Sequence, residues 1–366
     1  MKIPFFDAKT QHLLLKDEIL ESVNRVVYDN SNFILGKELE NFEEKFAKYC
    51  NKPYCIGVGN GTDAIKLALY SLNIGEGDEV IAPDNTAIPT ITAIIESGAK
   101  PVLVDVGEDY LINPEKIEHA ITKRTKAIIP VHLYGNPCDM NKISKIAKEH
   151  NIQTIEDCCQ AHGATYNDKK VPIGEIGCFS FYPTKNLGAL GDGGAIVVND
   201  SKLENKLRMA RNYGQSSKYN AEFSGFNTRL DEIQAAILKI KLNHLDDWNK
   251  LRKEKAEFYS KELGGIVNTP KKNINGDSVY HLYVIRTEKR NELMDYLKEK
   301  EIGTLIHYPI PIHMQKAFSY LGYKKGDFPN SEKFAEEIVS LPIYPEIEYS
   351  KIKEVVEEIK KFKRRG

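Results

Sequence analysis

Residues 79–106 read EVIAPDNTAIPTITAIIESGAKPVLVDV. The run Glu79-Val80-Ile81-Ala82 is short and apolar, as a buried strand is. A polar turn follows, and then Pro89 to Glu96 carries apolar residues at helical spacing. Proline suits a first helical turn, where its missing N–H has no partner to lose. A second apolar run, Pro101-Val102-Leu103-Val104-Asp105, closes the stretch. Strand, helix and strand in that order predict two parallel neighbours joined by a helix lying over the sheet.

The same alternation continues in both directions. Strand-like runs are Ala127 to Val131, Thr154-Ile155-Glu156, Cys178-Phe179-Ser180-Phe181 and Ala195 to Val198; helical patterns cover Asp63 to Ser71 and Lys142 to His150. The reading is an α/β domain with a mostly parallel sheet covered on both faces, and such sheets hold ligands at the carboxyl ends of their strands. Leu230, Ile233, Ile237, Ile240, Leu245, Trp248 and Leu251 recur at helical spacing and predict one long connecting helix. Tyr280 to Ile285 then reads as a strand and Arg290 to Lys300 as an amphipathic helix. The expected division is a large domain over 1–248 and a smaller α+β domain over 249–366.

A chain of 366 residues with 41% hydrophobic content has material for a large core and a second lobe. Lys plus Arg (51) balance Asp plus Glu (52), which argues against nucleic acid or a membrane surface as the main partner. The basic end Lys360-Lys361-Phe362-Lys363-Arg364-Arg365 reads as a solvated, frayed terminus. No signal-peptide or membrane-spanning pattern is present. The six cysteines (50, 55, 138, 158, 159 and 178) show no zinc spacing, so reduced thiols in a cytoplasmic protein and no metal are expected.

Three short motifs carry chemistry. Gly59-Asn60-Gly61-Thr62-Asp63 stands directly before a helix, where free N–H groups and the dipole favour an anion. It is not a Walker loop, and an N-capped turn explains it equally well alone. Glu156-Asp157 ends a strand; a carboxylate there keeps a heterocyclic nitrogen protonated, although a cap or ion pair is the simpler reading. Phe179 to Phe181 runs through Tyr182-Pro183-Thr184 into Lys185 and then the loop Asn186-Leu187-Gly188-Ala189-Leu190-Gly191-Asp192-Gly193-Gly194. A desolvated lysine there is a nucleophilic amine rather than a surface cation. Anion cup, ring-nitrogen acid and lysine, in this order, are the three handles that pyridoxal 5'-phosphate (PLP) requires.

At this point the sequence resembles a known family, the PLP-dependent nucleotide-sugar aminotransferases of the DegT/StrS type. The matching blocks include Ile3 to Lys9, Phe33-Ile34-Leu35-Gly36, His132-Leu133-Tyr134-Gly135, Glu156 to Ala164, Ser180 to Lys185, Gly225 to Ala236 and Tyr308 to His313. The resemblance implies the aspartate-aminotransferase-like fold type I, with a large PLP domain and a small C-terminal domain. It implies a Schiff base on Lys185, Asp157 at the ring nitrogen and Gln160 at the ring's phenolic oxygen. Gly61, Thr62 and Ser180 would hold the phosphate, with Asn227 reaching it from the partner of a homodimer. Tyr308 and His313 would contact the sugar nucleotide.

The family pattern is broken in two places. Ala87 stands where an aromatic residue commonly stacks on the PLP ring, and Cys158-Cys159 replaces a pair of alanines. Cys159 is expected to pack rather than react. The implied reaction takes an amino group from L-glutamate to a nucleotide-linked keto sugar. A sugar dehydratase of this type has histidine in place of Lys185, which argues against that relative. The loop after Lys185 is similar to that of enzymes acting on carbon 3 and implies a dTDP-3-keto-6-deoxyhexose. Action at carbon 4 of a UDP- or dTDP-4-keto sugar and a non-catalytic PLP-binding regulator are the alternatives.

Overall fold

The computed structural model describes residues 1–271, 273 and 275–364. Seven strands form the central sheet: β1 (Tyr54–Val58), β2 (Glu79–Pro83), β3 (Lys100–Val104), β4 (Thr125–Ile128), β5 (Gln153–Thr154 and Glu156–Asp157), β6 (Ile176–Ser180) and β7 (Gly194–Val198). Their spatial order is β3-β2-β4-β5-β6-β7-β1, the two pieces of β5 joining its halves. Every pairing is parallel except those of β7, which runs antiparallel to both neighbours.

Why these runs become central strands is visible along β7. Ile196 and Val198 join one buried cluster while Ala195 and Val197 join the other, so both faces of the sheet are covered. On one side Phe46, from the helix Lys37–Tyr49, meets Phe179 and Phe181 edge-on at 5.0 and 5.3 Å. Burying each such ring stabilises the fold by roughly 1.5–3 kcal/mol. The same packing gives the lysine loop a rigid base. The helices predicted over Asp63 to Ser71, Pro89 to Glu96 and Lys142 to His150 form as Gly61–Ser71, Ile88–Glu96 and Met140–Glu149.

The long connecting helix is in fact two, Glu232–Leu242 and Leu245–Leu263. At the break Asn243 and His244 bond back to Ile240 and Lys241, so three-residue turns interrupt the regular ladder. Beyond it, Tyr283–Arg286 pairs antiparallel with Ile338–Leu341, and the helices Arg290–Glu299 and Tyr349–Arg364 pack on that pair. Ile3, at the other end of the chain, is buried in the same cluster. The basic end is therefore helical rather than frayed through Arg364, with Lys360 held 2.7 Å from Glu262 and Arg365 outside the described residues. All six cysteines are free. Among the described residues no helix is long and apolar enough to cross a membrane.

Candidate active site

A cavity of about 470 Å³ opens at the carboxyl ends of the central strands. It brings together Gly61, Thr62, Asp157, Gln160, Ser180, Lys185 and Tyr308. Seven of the nine residues singled out from sequence thus share one space.

The anion end is built on the helix Gly61–Ser71. Asn60 caps it by accepting from the Asp63 amide at 2.8 Å. Gly61 is required here, because a Cβ would stand 2.7 Å from Ser180 Cβ and 2.8 Å from Cys159 Sγ. Its backbone therefore passes close against Ser180. The Thr228 hydroxyl ties the loop down, accepting from the Gly59 amide at 2.9 Å and donating to Asp63 Oδ2 at 2.8 Å.

Lys185 sits on a loop closed by three backbone bonds, Lys185 N to Tyr182 O, Ala189 N to Phe181 O and Phe181 N to Gly193 O. Gly188 passes so near Pro183 that a Cβ would lie 2.4 Å from its carbonyl oxygen. The lysine is partly exposed by area, but what it meets is the cavity rather than bulk water. Burial pushes its pKa down, and the neighbouring Cys159 and Asp157 only partly oppose this. The result favours the free amine, the form that attacks a carbonyl.

Asp157 is 4% exposed and terminates β5. Its Oδ1 accepts from the Cys159 amide at 3.1 Å and its Oδ2 from the Thr90 hydroxyl at 2.8 Å. Gln160 is fixed at both ends: its Oε1 accepts from the Tyr134 amide at 2.7 Å, and its Nε2 donates to the Tyr308 hydroxyl at 3.2 Å. Burial pushes the Tyr308 phenol up to about 12, so it stays protonated. Burial of the Cys159 thiol likewise pushes its pKa well up, consistent with packing rather than nucleophilic chemistry. Ala87 lines the cavity and offers no ring to stack.

Two expected residues lie elsewhere. His313 is 3% exposed and does not line the cavity. Its Nδ1 lies 2.8 Å from Asp84 Oδ2 and its Nε2 3.1 Å from Glu332 Oε1. It clamps the loop after β2 to the helix Pro329–Glu337, and the two carboxylates raise its pKa despite burial. Asn227 is exposed and outside the cavity of its own chain, although the adjacent Thr228 holds the anion loop.

Sequence reading missed Thr86, Thr90, His281 and His307, which all line the cavity. Burial and the nearby Lys185 push His307 down to about 4, so it faces the cavity as a neutral imidazole. The two threonines stand in the quoted stretch at the carboxyl end of β2, and that position was the available signal. A second chamber of about 490 Å³ shares Tyr182, Thr184, His281, Leu282 and His307 with the first. Phe5, Phe6, Arg252, Leu305 and Ile343 complete it.

One buried group of metal-ligand type, His132, Glu156 and Cys158, lies beneath the site. His132 Nδ1 accepts from the Cys138 amide, so Nε2 carries the proton and donates to Glu156 at 2.9 Å. Glu156 also accepts from the Ile173 and Gly174 amides. These lone pairs are spent on the protein.

The donor set fits PLP, with a glycine cradle at a helix N-terminus, a buried carboxylate and a depressed lysine in one cavity. Comparison with known proteins agrees. A model of the DegT/DnrJ/EryC1/StrS aminotransferase family matches residues 14–360. The chain belongs to that family.

Within the family, the chain is 49% identical to the dTDP-3-amino-3,6-dideoxy-alpha-D-galactopyranose transaminase of Aneurinibacillus thermoaerophilus, covering 98% of this chain and 99% of that one. It is 45% identical to a pleiotropic regulatory protein of Geobacillus stearothermophilus, over 100% and 99% of the two chains. The crystal structure of S. venezuelae DesV, in complex with a ketimine intermediate, superposes with a TM-score of 0.98 at 43% identity, covering 100% and 99%. The aminotransferase fold inferred from sequence is therefore the fold observed.

Proposed function

We propose that the chain transfers the amino group of L-glutamate to carbon 3 of a dTDP-3-keto-6-deoxyhexose, with PLP as cofactor. The observation that carries this reading is the single cavity in which Lys185, Asp157 and the Gly61 cradle meet. The sugar assignment is supported by the 49% identical dTDP-3-amino sugar transaminase. PLP supplies the electron sink that makes a proton on the amine-bearing carbon removable.

The chain's own groups do the rest. Gly61, Thr62 and Ser180 line the cavity where an anion is drawn to the helix N-terminus. Asp157 would hold its carboxylate against the ring nitrogen and keep it protonated. Lys185 Nζ, whose pKa burial lowers, would take the proton from the substrate carbon and return it one position away. Gln160 and Tyr308, hydrogen-bonded to each other, would orient hydroxyl-bearing ligands, and the second chamber would give the nucleotide room beyond the sugar.

The test is to incubate the PLP-loaded enzyme with glutamate and dTDP-3-keto or dTDP-4-keto sugars and assign the product by NMR. Nitrogen on carbon 3 is expected, while nitrogen on carbon 4 would overturn the regiochemistry. A protein that binds PLP but leaves glutamate unchanged would favour the regulator reading, which the name of the Geobacillus relative keeps in view.

The reading includes a homodimer with shared sites, in which Asn227, exposed and outside the cavity lining of its own chain, would serve the partner's site. Inactive Lys185→Ala chains mixed with inactive Asn227→Ala chains should regain about a quarter of wild-type activity. That estimate assumes random pairing, half the dimers mixed and one intact site in each. No recovery at any mixing ratio would argue for self-contained sites.

A further inference from the structure

The cavity wall after β2 carries a chain of hydroxyls that ends on Asp157. Thr86 Oγ1 lies 3.1 Å from Thr90 Oγ1, and Thr90 Oγ1 lies 2.8 Å from Asp157 Oδ2. Both threonines are buried, at 3% and 1% exposure, and both line the cavity.

The direction of this chain is forced. An ionised carboxylate only accepts, so the one proton of Thr90 goes to Asp157. With that proton committed, Thr90 Oγ1 must accept from Thr86. The order is Thr86 to Thr90 to Asp157. On the other carboxylate oxygen the Cys159 amide donates at 3.1 Å. One donor on each oxygen, from two separate elements, fixes the rotation of the carboxylate about its Cβ–Cγ bond. That torsion is otherwise broad.

Thr90 is suited to the task. Its branched Cβ restricts χ1. It stands in the first turn of the helix Ile88–Glu96, behind Pro89. A mid-helix threonine often returns its hydroxyl to a carbonyl of the preceding turn. Here the hydroxyl goes to Asp157 instead.

We propose that Thr90, backed by Thr86, is a positioning residue that sets the angle at which Asp157 meets the cofactor's ring nitrogen. The proposal rests on the PLP reading given above. A correctly aimed carboxylate raises the pKa of the ring nitrogen most, and a rotated one raises it less.

The experiment compares Thr90→Val, Thr90→Ser and Thr86→Val with wild type, each loaded with PLP. Four quantities are measured: melting temperature, cofactor affinity by titration, the pH midpoint of the bound cofactor's visible absorbance, and kcat and KM for glutamate. Thr90→Val keeps the volume and removes the hydroxyl. Its kcat should fall about tenfold to a hundredfold, the usual effect of losing a hydrogen bond to a charged group. The KM for glutamate should stay within about twofold, and the absorbance midpoint, which follows the imine nitrogen conjugated to the ring, should move to higher pH as the ring nitrogen loses its positive charge. Thr90→Ser should restore both quantities, and Thr86→Val should fall between.

A Thr90→Val enzyme with a wild-type kcat and midpoint would overturn the proposal. So would a Thr90→Ser enzyme as impaired as Thr90→Val, or a loss seen only in melting temperature, since either marks a structural threonine. A wild-type protein that takes up no PLP, or does not turn over glutamate, would instead overturn the functional reading on which this rests.

Discussion

Replacing Lys185 with alanine is expected to lower kcat by at least about 10⁴-fold, the upper range for losing a positioned acid–base group. Two losses coincide in this one residue. On the proposed function the cofactor's covalent attachment goes, and so does the only lysine amine that lines the cavity among the described residues. Neutral His281 and His307 remain in the wall, but burial keeps both pKa values well below that of free imidazole, which makes them poor proton acceptors. Wild-type protein treated with borohydride should carry a fixed cofactor on residue 185, detectable by mass spectrometry. The alanine variant should bind the cofactor reversibly and show no such label. Turnover with glutamate at the wild-type rate in this variant would remove the basis of the proposed chemistry.

The sheet and the lysine loop were legible because their physics is local. Apolar runs bounded by glycine and proline mark strands covered on both faces, and Phe179 to Gly194 announces its own turn. Spatial order was less accessible. Nothing in Ala195 to Val198 shows that this strand runs against its neighbours, since its direction is set by the short return from Ser180 to Gly194. The break at Asn243 and His244 was hidden for a related reason. The apolar period continues across it, and the change shows only in which carbonyls the two amides choose.

Site residues divide along the same line. That Gly61, Asp157, Gln160, Ser180 and Lys185 share one cavity was legible because each stands in a motif whose neighbours constrain it. His313 lies outside that cavity lining because its position is decided by Asp84 and Glu332, distant in sequence and brought together only by folding. Thr90 was missed for the converse reason. In sequence it is one of many threonines in an apolar helix, and its partner Asp157 lies 67 residues away.

Replacing Asp157 with asparagine should cost about two to three orders of magnitude in kcat while leaving PLP bound. The change is one atom in size, but the hydrogen bonds around it decide its meaning. The Cys159 amide can only donate, so the asparagine oxygen must face it. The new NH2 group then points toward Thr90, whose hydroxyl turns round to accept. A side chain so arranged offers the cofactor a neutral amide in place of a charge. An adjacent opposite charge typically raises a base's pKa by about one to three units. Losing it leaves the ring nitrogen deprotonated at neutral pH, and each unit lost costs about a factor of ten in the protonated form. The sign follows for pH dependence. The variant should gain activity as pH falls toward the lowered ring pKa, over a range where the wild type is flat. The Gly61 cradle and Lys185 are untouched, so cofactor content measured after gel filtration should stay near wild type. A pH–rate profile superimposable on that of the wild type would show that some group other than Asp157 keeps the ring protonated.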